Sequence, residues 1–415
     1  MRVLHVVKTA GGALWAAKQA AELVRRGVEV HVALPCVNGR AVPYWARAGA
    51  HIHVADLDFP VRAPWRLPSV CGAARQFVAT LQPDIIHSHF FGTTMILRRA
   101  LRGYFAGPIV FQVAGPLHLE YGLYRAWDLR SAGPNDYWIA SSRCILNRYL
   151  EAGLSPERLF LSYHGGSSSH MVQERSNFLR SRLGISDREF VVGNINFMYP
   201  PKRFLGQAVG LKCHEDVIDA LAMVTRDRPD VVGVLVGEPF RGAAWYEASL
   251  RARALDKAGD RVRLAGYLSP AEVASAWQDF DVAVHVPLSE NCGGVLEPLL
   301  AGVPTIAGIV GGLPELVIEG VTGKTVPIRN PAALARAIHE VLHDLPRFQR
   351  LAQNGRNLAR IMFDPSRTAG EVYAIYRHLL NPSSRRPDEF ASAEFAGRFC
   401  EHGSSVTEGK DLQYA

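Results

Sequence analysis

Short apolar runs alternate with segments of helical period along most of this chain, and no hairpin turn signal joins one run to the next. Parallel strands need long crossover connections, and the usual crossover is a helix. The pattern therefore predicts an α/β fold built from doubly wound parallel sheets, with ligands at the C-terminal ends of the strands. A first series of strands is expected at residues 3–7, 28–34, 51–54, 84–87, 108–113 and 138–140. A polar, charged linker follows at 173–190. A second series begins at 191–195 and continues through 231–236, 261–264 and 281–286. Two series in 415 residues imply two domains, each long enough for its own core.

Residues 287–315, PLSENCGGVLEPLLAGVPTIAGIVGGLPE, carry the densest chemistry. Glu290 lies on a loop, Gly293 and Gly294 precede an apolar helical run, and Glu297 stands one turn into it. Amides left bare at a helix start favour an anion, because unpaired N–H groups and the helix dipole act together. Carboxylates on either side accept hydrogen bonds from hydroxyls. A phosphate flanked by hydroxyls describes a nucleotide sugar. The plainer reading is a βα unit whose glycines only make turns.

The same stretch resembles the donor signature of family 4 retaining glycosyltransferases. That family carries an E-x7-E motif running into a helix, then A-x-G-x-P and GG-x-P-E. This chain has Glu290 and Glu297, then Ala301, Gly302 and Pro304, then Gly311, Gly312, Pro314 and Glu315. Six residues separate the two glutamates, and Ser289 stands at the strict x7 position. Glu290 is taken as the counterpart, since loops tolerate a one-residue deletion. The segment LKCHEDVIDAL is similar to the family's K-G-H-x-x-L-I-x-A-L. It puts Lys212 at the lysine that grips the donor diphosphate, with Cys213 in place of glycine and Gln207 where an arginine is usual. An insertion at 198–211 bearing Lys202 and Arg203 offers a second cation and a lid over the donor.

The resemblance covers residues 1–380 and implies the GT-B fold: two Rossmann-like domains facing a cleft. Its expected division is 1–185 for the acceptor, 190–365 for the donor, a helix at 366–380 crossing back to the first domain, and a disordered tail at 381–415. It further implies a retaining transfer by front-face substitution, in which the departing diphosphate helps to deprotonate the acceptor. The catalytic residues implied are His118, Glu290 and Lys212. Donor contacts are implied for Gly12, Arg203, Lys212, Tyr267, Glu290, Gly293, Gly294, Val295 and Glu297, with Glu297 on the ribose and Tyr267 or Leu268 against the base. His89, after a first-domain strand, is the acceptor-side candidate. His87, inside that strand, reads as a packed core residue. No D-x-D motif stands at a strand end, so no metal or other cofactor is expected, and the nucleotide sugar is itself a substrate.

Composition narrows the partners. Residues 1–190 hold 22 Lys+Arg against 13 Asp+Glu, and the remainder 24 against 26. The basic first half suits an anionic acceptor or the anionic face of a membrane, although an arginine-rich background would look the same. Seven lysines stand among 39 arginines, which makes each lysine less apt to be surface filler. No apolar run reaches the ~18 residues of a membrane span, and the N-terminus reads as a strand rather than a signal. Six scattered cysteines without a C-x-x-C pair fit reduced thiols. A cytoplasmic location is expected, with peripheral contact at the inner membrane face through the basic half. The acceptor classes open are glycans, lipid-linked glycans and small-molecule natural products, the donor expected is a UDP-sugar, and no nucleic acid is expected. Two other readings share the architecture: a nucleotide-sugar epimerase, and a non-catalytic nucleotide-sugar-binding protein.

Overall fold

The computed structural model describes residues 1–166 and 175–390, with residues 394, 395 and 397. Two sheets organise them. The first contains β1 (Arg2–Val6), β2 (Glu29–Leu34), β3 (His51–Val54), β4 (Ile85–Ser88), β5 (Ile109–Val113), β6 (Asp136–Ala140) and β7 (Leu159–Leu161). Its strand order is β3-β2-β1-β4-β5-β6-β7. The second contains β8 (Phe190–Ile195), β9 (Val231–Val236), β10 (Val262–Gly266), β11 (Val282–His285), β12 (Thr305–Gly308) and β13 (Lys324–Val326), in the order β10-β9-β8-β11-β12-β13. Every ladder is parallel. The strand order reverses between β1 and β4 and again between β8 and β11, and a crevice opens beyond the strand ends at such points. Central strands β4, β5 and β9 are buried throughout, which explains why they read as unbroken apolar runs.

The structure adds elements that periodicity did not reveal. β7, β12 and β13 are only three or four residues long. Within the linker, the helix Phe178–Leu183 packs with the second sheet: Leu179 and Ile185 share a core with Val191, Val232 and Trp277. The Asp279 carboxylate accepts the amides of Asn177 at 2.8 Å and Leu179 at 2.6 Å. The expected first-domain limit at 185 therefore falls within the second domain. Residues 173 and 174 lie outside the described residues.

The helix Pro365–Leu380 packs in the core of the first sheet, with Val372, Ile375 and Tyr376 beside Val3, Ala16 and Leu23. Asp364 caps it by accepting the Arg367 amide at 2.6 Å. Arg26 ties its start to the first domain by donating to the Ser366 carbonyl at 2.8 Å. The tail expected to lack order instead docks its first ten residues. Arg386 donates to the Pro156 carbonyl at 2.9 Å and lies over the Phe160 ring, and Phe390 packs at the edge of a core cluster. Single anchors of this kind leave no periodic trace. Residues 398–415 lie outside the described residues.

Both cores hold buried imidazoles. His5, His87, His89, His164, His214 and His285 are all buried deeply enough that burial pushes their pKa values down, to about 3 for His5, His164 and His214. The unfolded chain takes up these protons near pH 6.5; the folded chain resists until far lower. Their contribution is complete above about pH 6.5 and is lost progressively below it, by about 1.4 kcal/mol per pH unit for each ring still neutral. The melting temperature should therefore fall steeply between pH 7.5 and 5.0 in calorimetry. A flat profile would mean that these rings are charged in the folded protein.

Candidate functional site

The second sheet brings four side chains together at the end of β11. His285 is the last residue of that strand, and Glu290 sits on the loop beyond it. The Lys212 ammonium, on the turn before helix His214–Asp227, pairs directly with Glu290 Oε2. His285 Nε2 lies 3.0 Å from the same oxygen, and Asn196 Nδ2 lies 3.3 Å from His285 Nδ1. The nitrogen of the Asn196 carboxamide can only donate, so with Nδ2 toward the ring His285 accepts at Nδ1 and donates from Nε2 to the carboxylate. Burial opposes the charge on Glu290, but Lys212 and then His285 outweigh it and hold its pKa at about 2. Burial pushes the His285 pKa down and keeps the ring neutral. The result is an ionised carboxylate held between a cation and a neutral donor. Ser289 turns away and donates to Glu120 Oε1 at 2.9 Å. Of the two residues the shortened motif left to choose between, Glu290 is the one beside Lys212.

Two glycines make this packing possible. A Cβ on Gly294 would overlap the His285 imidazole, whereas Gly293 has open space. Gly311, with φ near +57°, lies so close to the Glu290 carbonyl that a Cβ would overlap it. The helix expected after the glycines begins as a 3-10 turn, Gly293–Val295, and becomes α-helical only at Leu296–Ala301. Val295 is fully buried and its amide donates to the Cys292 carbonyl at 3.4 Å, so as placed it presents no free group to a ligand. Glu297 Oε2 accepts from Trp277 Nε1 at 3.2 Å. Across the cleft, burial lowers the Lys18 pKa while the nearby Glu297 works to raise it. Tyr267 is exposed after β10, and its hydroxyl accepts from Arg40 of the first domain at 3.5 Å. Arg203 is exposed on the 198–211 segment, which leans on the second domain through Tyr199 and Phe240, 4.4 Å between ring centroids.

The first domain supplies the opposite wall. Gly12 lies in the turn after β1, and Ala13 enters the following helix in left-handed conformation, φ 59°. His118, in the 3-10 turn Pro116–Glu120, has Nε2 at 3.2 Å from Asp128 and 3.0 Å from the Tyr149 hydroxyl. Burial works against a charged Asp128, but Arg98 and then His118 hold its pKa at about 2. Phe91 packs tilted against the His118 ring at 5.2 Å, Tyr124 and Trp127 stand edge-on to Phe91 at 5.9 and 5.5 Å, and Phe59 stands edge-on to Trp127 at 5.2 Å. His89 is elsewhere: fully buried, 2.8 Å from His5 Nδ1, with Trp15 edge-on to its ring. As placed, it presents no surface to the cleft. His87 is a core residue bonded to Tyr376.

The two walls are joined by Glu315. Its carboxylate accepts the amides of Arg143 and Cys144, each at 2.9 Å, at the start of helix Arg143–Glu151, and the Tyr163 hydroxyl at 2.6 Å. Asn291 donates to Ser141 Oγ at 2.7 Å beside it. His285, Asn196, Lys18, Asp128 and the seam role of Glu315 were not foreseen. No short motif marks them, because their partners lie far away in sequence.

Two parallel doubly wound domains meeting at a charged cleft of this kind are the GT-B architecture. Residues 10–166 match the family described as Glycosyltransferase Family 4, and residues 201–358 match Glycosyl transferases group 1. The chain is similar to an alpha-D-kanosaminyltransferase of Streptomyces kanamyceticus, 29% identical over 50% of this chain and 50% of that one. It thus spans only half the length of that relative. A D-inositol 3-phosphate glycosyltransferase of Mycobacterium sp. (strain JLS) is 26% identical over 83% of this chain and 80% of its own. Among solved structures, Anabaena HepE in complex with UDP superposes with TM-score 0.75 at 21% identity, covering 91% of this chain and all of that one. HepE with UDP-glucose superposes with TM-score 0.74. The chain belongs to the family 4 glycosyltransferases of the GT-B fold.

Gly294 offers a direct test of the site geometry. Gly294→Ala must push the His285 ring off Glu290, at a cost of about 1–3 kcal/mol for overpacking. The melting temperature, read by calorimetry, should fall by a few degrees, while Gly293→Ala should change it much less. Equal effects of the two substitutions would refute the packing argument.

Proposed function

We propose that this protein is a retaining glycosyltransferase that moves a sugar from a UDP-sugar to an acceptor hydroxyl. The observation that carries the reading is the Lys212–Glu290–His285 group beside the Gly293–Gly294 turn, at the strand ends of one domain and facing the other. UDP and UDP-glucose in the HepE complexes support the choice of donor.

In this reading the diphosphate takes Lys212 away from Glu290. The carboxylate, freed but still ionised, accepts the sugar hydroxyls, with His285 fixing its orientation. Glu297 accepts the ribose hydroxyls, the Gly293 and Gly294 amides take phosphate oxygens, and Arg203 adds a second cation from the 198–211 lid. Negative charge grows on the diphosphate as the glycosidic bond breaks, so a fixed ammonium stabilises the transition state more than the bound donor. No protein nucleophile or metal is required. His118, positioned by Asp128, lines the reacting face. The aromatic wall around it gives the acceptor an apolar flank, and the basic first domain favours an acceptor that is anionic or presented at an anionic membrane surface.

Three measurements test the scheme. Lys212→Ala should lower kcat about a hundredfold or more, with a smaller rise in the donor KM, and Lys212→Arg should rescue only in part. Near-normal kcat in the alanine variant would remove Lys212 from the mechanism. Glu297→Ala should weaken UDP binding by about 1.5–3 kcal/mol with the melting temperature preserved; unchanged affinity would sink the ribose assignment. Transfer should also persist in EDTA, and loss of turnover restored by Mg²⁺ or Mn²⁺ would contradict the charge scheme. Turnover of donor with no acceptor present would favour the epimerase reading instead.

A further inference from the structure

A second group of ligand-type side chains lies at the other end of the first sheet, away from the cleft. Glu29 and His31 are alternate residues at the start of β2, and His51 and His53 are alternate residues on β3, the edge strand. Alternate residues of a strand share a face, and the parallel register sets His31 opposite His51. All four side chains therefore project on one side of two neighbouring strands. One ligand atom each from Glu29, His31 and His51 lies within 4.8 Å of the other two. His31 Nε2 is 2.9 Å from Glu29 Oε1, and its other ring nitrogen, Nδ1, is 2.9 Å from His53 Nε2. The His31 and His51 rings stack with centroids 4.6 Å apart.

We propose that Glu29, His31 and His51 form a site for a divalent transition metal, Zn²⁺ in the first instance, with His53 as the partner that orients His31. The donor set is two imidazoles and a carboxylate, a borderline combination suited to Zn²⁺ with bonds of about 2.0–2.2 Å. A metal-bound histidine usually has its second nitrogen fixed by a hydrogen bond, and the His31–His53 contact supplies that bond in advance. His51 is exposed, so its ring can swing the short distance needed to converge with His31 and Glu29. The fourth position faces solvent and takes water. Arg2 competes, since its Nε donates to Glu29 Oε1 at 2.9 Å. Arg2 Nη1 also donates to the Leu81 carbonyl at 2.9 Å, so the guanidinium keeps an anchor when Glu29 turns to the metal. The metal would clamp edge strand β3 to β2. An edge strand offers one row of unpaired backbone groups, and a cross-strand clip guards it against fraying.

The proposal is independent of the transfer reaction, and its test uses the full-length protein freed of metal by chelator and dialysed. Titration calorimetry with Zn²⁺ should give one equivalent bound with micromolar or tighter affinity, and Zn²⁺ should raise the melting temperature. His51→Ala removes an exposed ligand whose packing is a stack on the His31 ring, so the metal-free variant should still fold and melt close to the parent. Its Zn²⁺ affinity should fall at least tenfold, as should that of Glu29→Gln, while Lys212→Ala should bind Zn²⁺ like the parent. Failure of the parent to take up one equivalent would overturn the proposal. So would uptake that survives both His51→Ala and Glu29→Gln, which would point to the buried imidazoles of His5, His87 and His89 instead.

Discussion

A carboxylate from one domain closes the open amide end of a helix in the other. Glu315 reaches the amides of Arg143 and Cys144 and the Tyr163 hydroxyl, and the rest of the cleft depends on that bridge. Hydrogen bonds to a charged acceptor contribute about 1.5–3 kcal/mol, and a negative charge at a helix start adds a few tenths to about 2. The bridge is reinforced by a shared apolar cluster in which Val113, Tyr149 and Tyr163 of the first domain meet Val295, Leu313 and Met362. Glu315 can arrive only because Gly311 and Gly312 let their loop lie flat on residues 290–292 and on Ser142. The GG-x-P-E segment is therefore as much a seam between domains as a wall of the site.

Behind the seam the site is held under internal counter-charge. A lysine left unpaired at the end of β11 would be a strong, poorly directed cation. Pairing it with Glu290 fixes both groups against the burial that opposes their charge, and His285 supplies a neutral second contact to the same oxygen. Such a pair rests in a state that anionic ligand can exchange rather than having to build from disorder. The preorganisation comes from neighbours: Asn196 sets the His285 tautomer, and the absence of a side chain at Gly294 makes room for the ring. On the other wall the same logic recurs, with Arg98 and Asp128 forming a buried pair on which His118 is hung.

The sequence alone determined that the fold is α/β with two parallel sheets, because strand and helix periodicities are local and survive any tertiary arrangement. It singled out Glu290, Glu297 and Lys212, residue types whose chemistry is rarely spent on a core, and the structure pairs Lys212 with Glu290. It also separated His87, a core residue, from the loop histidines. It could not place His89, since the first residues beyond a strand turn either toward the cleft or under the neighbouring helix, and Trp15 covers this one. The docked residues 381–390 and the short strands β7, β12 and β13 were likewise invisible, being held by one or two anchors rather than by a period. Only the tertiary structure decided that Glu290 rather than Ser289 meets Lys212, that His285 completes the group, and that Glu315 binds the two domains. Each of those contacts joins residues whose partners are fixed by distant backbone, and a hydrogen bond of about 3 Å depends on convergence that no spacing along the chain encodes.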